Sequence, residues 1–226
     1  MPDFSPRDNK LALKVVFYGP ALSGKTTNLM QLHSLLNPER KGELMVLETR
    51  DDRTLFFDML PIGLRGSSGL DLRLKLYTVP GQVQHDSTRK AVLSRADGVV
   101  FVADSQANQQ ENNATAFGNL EENLEKVGLD IDTLPMVVQF NKRDLPGVVE
   151  ENELQGRWAQ TPWSPLVMAS ALHGDGVIDT FRILLDRLYA AADAEFRLEA
   201  DHNINRQQFV ERLSRSSENE APRAEF

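Results

Sequence analysis

Residues Gly19 to Thr26 read G-P-A-L-S-G-K-T, directly after the apolar run Leu11-Ala12-Leu13-Lys14-Val15-Val16-Phe17-Tyr18. The run reads as a buried strand, and Lys25 to Leu36 reads as the helix that follows it. A glycine-rich loop between a strand and a helix N-terminus aims backbone N–H groups at one point, where the helix dipole also favours negative charge. Gly19 and Gly24 let the chain curl around a phosphate without a clashing Cβ. Lys25 can then reach the β- and γ-phosphates of a nucleotide, and the Thr26 hydroxyl can hold Mg²⁺. The stretch predicts a nucleoside-phosphate cradle built from Gly19, Ala21, Leu22, Ser23, Gly24, Lys25, Thr26 and Thr27.

A second motif concerns the base. Pro135 to Phe140 (P-M-V-V-Q-F) reads as another buried strand and runs into Asn141-Lys142-Arg143-Asp144, at the strand end where open α/β sheets bind ligands. The tetrapeptide resembles the N-K-x-D of Ras-like proteins, whose Asp accepts hydrogen bonds from the N1–H and exocyclic amine of guanine. Adenine has no such pair of donors and would leave a buried carboxylate unpaired, which is costly. Further on, the strand Pro165 to Ala169 leads into Ser170-Ala171-Leu172, which matches the loop whose backbone N–H meets the guanine carbonyl in the same superfamily. With Asn141, Lys142, Asp144, Ser170, Ala171 and Leu172 at the base, GTP/GDP is expected rather than ATP.

The remaining pattern alternates strands and helices. Glu43 to Thr49 and Gly98 to Ala103 read as strands, and Asp71 to Val79 alternates polar and apolar residues as an antiparallel or edge-proximal strand should. Helices are expected over Ser87 to Arg95, Glu111 to Val127, from near Glu150, and over Gly176 to Ala192. Glu150, Glu151 and Glu153 suit a helix start. This spacing favours a mostly parallel sheet with helices on both faces. The likeness of the two loop motifs to Ras-like proteins implies that this is an α/β P-loop NTPase fold of the Ras-like G-domain kind. The expected division is a GTPase domain over residues 1–200 and an extension over 201–226. In the extension Ile204, Phe209, Val210 and Leu213 can line a short amphipathic helix, and the polar stretch from Ser214 reads as disordered.

With 226 residues the chain can bury a substantial single core, and its net charge of −8 argues against a general nucleic-acid binder. It has no cysteine, so disulfides, thiolate metal sites and cysteine-linked lipid anchors are not expected. No segment reads as a signal peptide or membrane span, so the expected setting is cytoplasmic. His33, His85, His173 and His202 lack metal spacing, and Trp158 and Trp163 read as packing residues.

Residues Asp52 to Asp58 (D-R-T-L-F-F-D) and Tyr77 to Val83 (Y-T-V-P-G-Q-V) resemble the MglA family of bacterial Ras-like GTPases. The likeness continues through Asp97 to Gln106 and Asn141 to Pro146, over roughly residues 10 to 195. It implies a GTP/GDP switch acting in gliding motility or cell polarity, with Mg²⁺ and an MglB (roadblock) type activating partner. Partners and effectors would bind through residues 49–60 and 78–90, and the cell pole or membrane would be reached by recruitment. By the same resemblance Gln82 orients the attacking water and Gly81 offers its N–H to the γ-phosphate. Thr54 joins Thr26 at the metal, and Arg53 is an intrinsic arginine finger, a device that contributes ~10³–10⁵ in rate. Catalysis is thus expected from Gln82, Arg53 and Lys25.

Two residues depart from the Ras pattern. Thr78 stands where most small GTPases carry an Asp that reaches Mg²⁺ through water, a change the MglA family shares. Ala21 stands where both groups have Gly, and its Cβ should obstruct the approach of glutamine and arginine in the transition state. The expectation is normal GTP binding with slow hydrolysis, even with a partner. Carried further, it describes a GTP-stabilised adaptor rather than a cycling switch.

Overall fold

The computed structural model describes residues 3–5, 9–38, 41–47, 57–65, 68–80 and 86–215. In chain order these form β1 (Asp3–Ser5), β2 (Lys10–Tyr18), α1 (Lys25–Leu35), β3 (Met45–Leu47), β4 (Phe57–Arg65), β5 (Asp71–Thr78), α2 (Asp86–Leu93) and β6 (Gly98–Asp104). A 3-10 turn at Ala107–Gln109 leads into α3 (Gln110–Lys126), then β7 (Met136–Asn141), α4 (Glu151–Trp158), β8 (Val167–Met168), α5 (Val177–Phe196), α6 (Leu198–His202) and α7 (Arg206–Leu213). The strands make one eight-stranded sheet in the order β3-β4-β5-β2-β6-β7-β8, with β1 paired to β2 off that path. β5, β2, β6, β7 and β8 are mutually parallel, whereas β3–β4, β4–β5 and β1–β2 are antiparallel.

Alternation along β2 divides the core between the two faces of the sheet. Leu11, Leu13, Val15 and Phe17 pack with α1 and α5, whereas Val16 and Tyr18 pack with residues of α2 and α3. β6 is buried along its whole length, as a parallel strand covered on both faces must be. The C-terminal ends of β2, β6, β7 and β8 therefore meet at one edge, and the loops Gly19 to Gly24, Asn141 to Asp144 and Ser170 to Leu172 leave from there.

Of the two alternatives expected for Asp71 to Val79, the antiparallel one holds and the edge-proximal one does not: β5 is an interior strand, antiparallel to β4 and parallel to β2, and it alternates because Arg73 and Lys75 lie on an exposed face. Two further features differ from the sequence reading. β4 was not expected, since Pro61 and Gly63 interrupt it. The Pro61 carbonyl accepts from the Gly42 N–H at 2.8 Å, so its donor-less nitrogen faces the 41–44 segment and leaves the β5 ladder whole. The strand expected over Glu43 to Thr49 is present as Met45–Leu47, and residues 48–50 lie outside the described ones.

Beyond α5 the chain keeps packing. Leu198, Ile204, Phe209 and Leu213 are at most 1% exposed and join the α1–α5 side of the core. The Tyr189 hydroxyl donates to the Ile204 carbonyl at 3.1 Å, and Asn205 with Gln208 forms a capping box at the start of α7. Trp158 and Trp163 stack edge-on with Phe117 beneath α4. Among the described residues no helix is long and apolar enough to cross a membrane.

Candidate nucleotide site

Three loops converge at the C-terminal edge of the sheet. In the first, Gly19 has φ +139° and Gly24 φ +97°. A Cβ on Gly19 would lie 2.2 Å from the Val102 carbonyl oxygen, and one on Gly24 2.2 Å from Asn141 Nδ2. Neither position admits a side chain, so the loop passes close to β6 and to the second motif. Ser23 is fully buried, Ala21 is exposed, and Leu22 stands 89% exposed in the left-handed region at φ +62°. Lys25 begins α1 with its ammonium turned back over the loop, donating to the carbonyls of Gly19 (3.1 Å) and Pro20 (2.6 Å). Burial, with the nearby charge of Arg89, lowers its pKa to about 8. Thr26 is exposed and Thr27 half-buried, both at the start of α1.

The second loop ties the other two together. Asn141, at the end of β7, donates from Nδ2 to the Ser23 carbonyl at 2.8 Å and accepts from the Ala171 N–H on Oδ1 at 2.8 Å. One side chain thereby fixes the phosphate loop against the Ser170-Ala171-Leu172 loop. Asp144 accepts from the Ser170 hydroxyl at 2.5 Å, and that bond holds its carboxyl below the usual range. Lys142, at φ +67°, pairs with Asp104 at 2.7 Å. In the third loop Leu172 is 66% exposed, and its carbonyl accepts from Gln31 of α1 at 2.9 Å. Thr78 ends β5 with its side chain buried.

The sequence reading missed supporting residues. Asn113 of α3 accepts from the Asp104 N–H at 2.9 Å and donates to the Asp104 carbonyl at 2.8 Å, which fixes the residue that grips Lys142. Arg89 is buried with its guanidinium 5.9 Å from the centre of the Tyr18 ring. The only cue to Asp104 was a charge closing a wholly apolar strand; nothing local marks Asn113 or Arg89. Arg53, Thr54, Gly81, Gln82 and His85 lie outside the described residues.

The mutual gliding-motility protein MglA of Myxococcus xanthus (strain DK1622) is 47% identical over 169 residues, 75% of this chain and 86% of that protein. The family model of the ADP-ribosylation factor family matches residues 64–188. This chain belongs to the MglA-type small GTPases. The match to the ADP-ribosylation factor family takes in Asn141 to Asp144 and Ser170 to Leu172 but begins after the phosphate loop. For the MglA-type loop of Gly19 to Thr27, fit to a nucleotide rests on its own geometry. Its two glycines are closed to side chains, a buried ammonium sits over the loop carbonyls, and Ser23 Oγ is buried with no hydrogen-bond partner among the described residues. Such a set of cation and left-handed turns suits polyphosphate. Among the described residues no three His, Asp or Glu side chains are grouped to hold a metal ion. A divalent ion here would take hydroxyl and phosphate oxygens, with Thr26 the described hydroxyl best placed by sequence.

Proposed function

We propose that this protein is a GTP-driven molecular switch that hydrolyses GTP to GDP and phosphate and controls cell polarity or motility through effectors. The observation carrying the reading is Asn141, which bridges the phosphate loop at Ser23 and the base-side loop at Ala171. A ligand spanning both loops must carry a phosphate at one end and a base at the other. Asp144 supplies a carboxylate to the base, and guanine is the base with two adjacent donors for it.

In the proposed mechanism backbone N–H groups of Gly19 to Thr27 hold the phosphates, and Lys25 releases the Gly19 and Pro20 carbonyls to meet the β- and γ-oxygens. Thr26 and Thr54, together with the phosphates, would hold Mg²⁺, which would supply charge stabilisation for the transferred group. Gln82 orients the water, Arg53 brings positive charge, and the Gly81 N–H senses the γ-phosphate. Lys142, paired with Asp104, belongs to the same base site. A partner of the MglB (roadblock) type binds through residues 49–60 and 78–90 and speeds turnover. The relative's printed name, a mutual gliding-motility protein, supports motility as the process. Ala21 favours a second reading, a GTP-stabilised adaptor with very slow hydrolysis.

Base recognition is tested by Asp144→Asn. An amide offers one acceptor and one donor, which suits the N1–H and 2-oxo group of xanthine and mismatches guanine. Equilibrium binding should show GDP affinity falling by about 2–3 kcal/mol, in the range of a lost charged hydrogen bond, and xanthosine diphosphate affinity rising. Unchanged GDP affinity would remove Asp144 from the base site.

A further inference from the structure

Asn28, Gln139 and Thr180 are polar side chains inside an otherwise apolar core, exposed by only 1%, 0% and 2%. Their hydrogen bonds run in one consistent direction. The Thr180 hydroxyl donates to the Gly176 carbonyl at 2.7 Å, so it can only accept from Gln139, whose Nε2 lies 2.8 Å away. The same Nε2 donates to Asn28 Oδ1 at 2.9 Å, which turns Asn28 Nδ2 toward the Gly24 carbonyl at 3.0 Å. Gly24 and Gly176 are the left-handed N-cap residues of α1 and α5, the helices that follow the phosphate loop and the base-side loop. A single chain of two amides and a hydroxyl thus joins the first turns of both helices through β7.

Gln139 lies two residues before Asn141, on the same face of β7. The two side chains form successive cross-ties: Asn141 joins the loops themselves, and Gln139 joins the helix starts beneath them. Core filling does not account for this. Asn is a poor helix-interior residue, and Gln139 Oε1 is buried with no hydrogen-bond partner among the described residues, a costly arrangement that two leucines would avoid. We propose that Gln139, acting through Asn28 and Thr180, is a positioning residue that sets the spacing of the phosphate and base-side loops and so governs how long nucleotide is retained. The inference rests on the nucleotide reading above.

Release of a fluorescent GDP analogue into excess GDP, with the thermal midpoint of the same samples, tests it. Replacing both members of a buried hydrogen-bonded pair by apolar groups of similar size is nearly neutral for stability. The double variant Asn28→Leu with Gln139→Leu should therefore keep a midpoint near wild type yet release GDP at least tenfold faster. A normal midpoint with release within twofold of wild type would overturn the proposal. Should the double variant fail to fold, Thr180→Val and Thr180→Ser decide. Val keeps the shape without the hydroxyl and should speed release severalfold, while Ser should leave it unchanged; equal release from Val, Ser and wild type would overturn the proposal. Wild type that retains no GDP would refute the nucleotide reading itself, and this inference with it.

Discussion

Leu22 holds a left-handed backbone at φ +62° while 89% exposed, so its side chain earns little packing in return for the strain. The left-handed region costs a non-glycine residue about 1–2 kcal/mol, partly offset on substitution by the chain entropy of glycine. Leu22→Gly should stabilise the protein by roughly 0.5–1 kcal/mol, a rise of about 1–4 °C in melting temperature for a chain of this size. Leu22→Ala keeps the strain and should not share the gain; equal melting temperatures for Gly and Ala would contradict the argument. The phosphate loop itself was legible because its residues are consecutive and each acts through local backbone geometry. Asn141 was legible as a base-motif residue, but its bridge from Ser23 to Ala171 is a tertiary fact that no spacing reveals.

At the scale of elements, the junction of β2, β6 and α5 carries a pH response. Asp97, just before β6, accepts the Lys14 N–H at 2.7 Å. Burial pushes its carboxyl up from 3.8 to about 6; Glu195 adds to the rise, while the Lys14 amide and ammonium oppose it. Because the folded value is the higher one, the native state binds this proton more tightly than the unfolded chain. Its stabilisation is full below about pH 4 and is lost as pH rises through about 6. After discounting for partial exposure, about 1–2 kcal/mol is at stake. Asp97→Asn keeps an acceptor for Lys14, so melts from pH 5 to 8 should show a higher midpoint at pH 8 and a weaker decline than wild type. A parallel decline in both proteins would assign the pH response elsewhere. The parallel strands and long helices were readable from periodicity because burial on two faces or one stripe writes itself into composition. β4 was not, because Pro61 and Gly63 disguise a strand whose proline faces away from its main partner.

Over the whole molecule, the segment after α5 belongs to the packed core. Phe209 is fully buried, its ring centre 5.5 Å from that of Tyr189, and α7 contacts both α5 and β4. Phe209→Ala should cost about 3–5 kcal/mol in denaturant unfolding, the usual range for a large buried aromatic. A cost below about 1 kcal/mol would mean that α7 is not docked in solution. The sequence disclosed the apolar stripe of α7 but not its partner, since the face it covers is assembled from α5 and the antiparallel part of the sheet. Two faces of one sheet thus hold the loops of a GTPase in register, and turnover is the property on which the proposed switch depends. Single-turnover hydrolysis of bound GTP, followed by nucleotide chromatography with and without an MglB-type partner, tests that most directly. The account predicts partner-stimulated conversion to GDP, faster still in Ala21→Gly; persistent GTP with the partner demonstrably bound would contradict the switch and leave an adaptor.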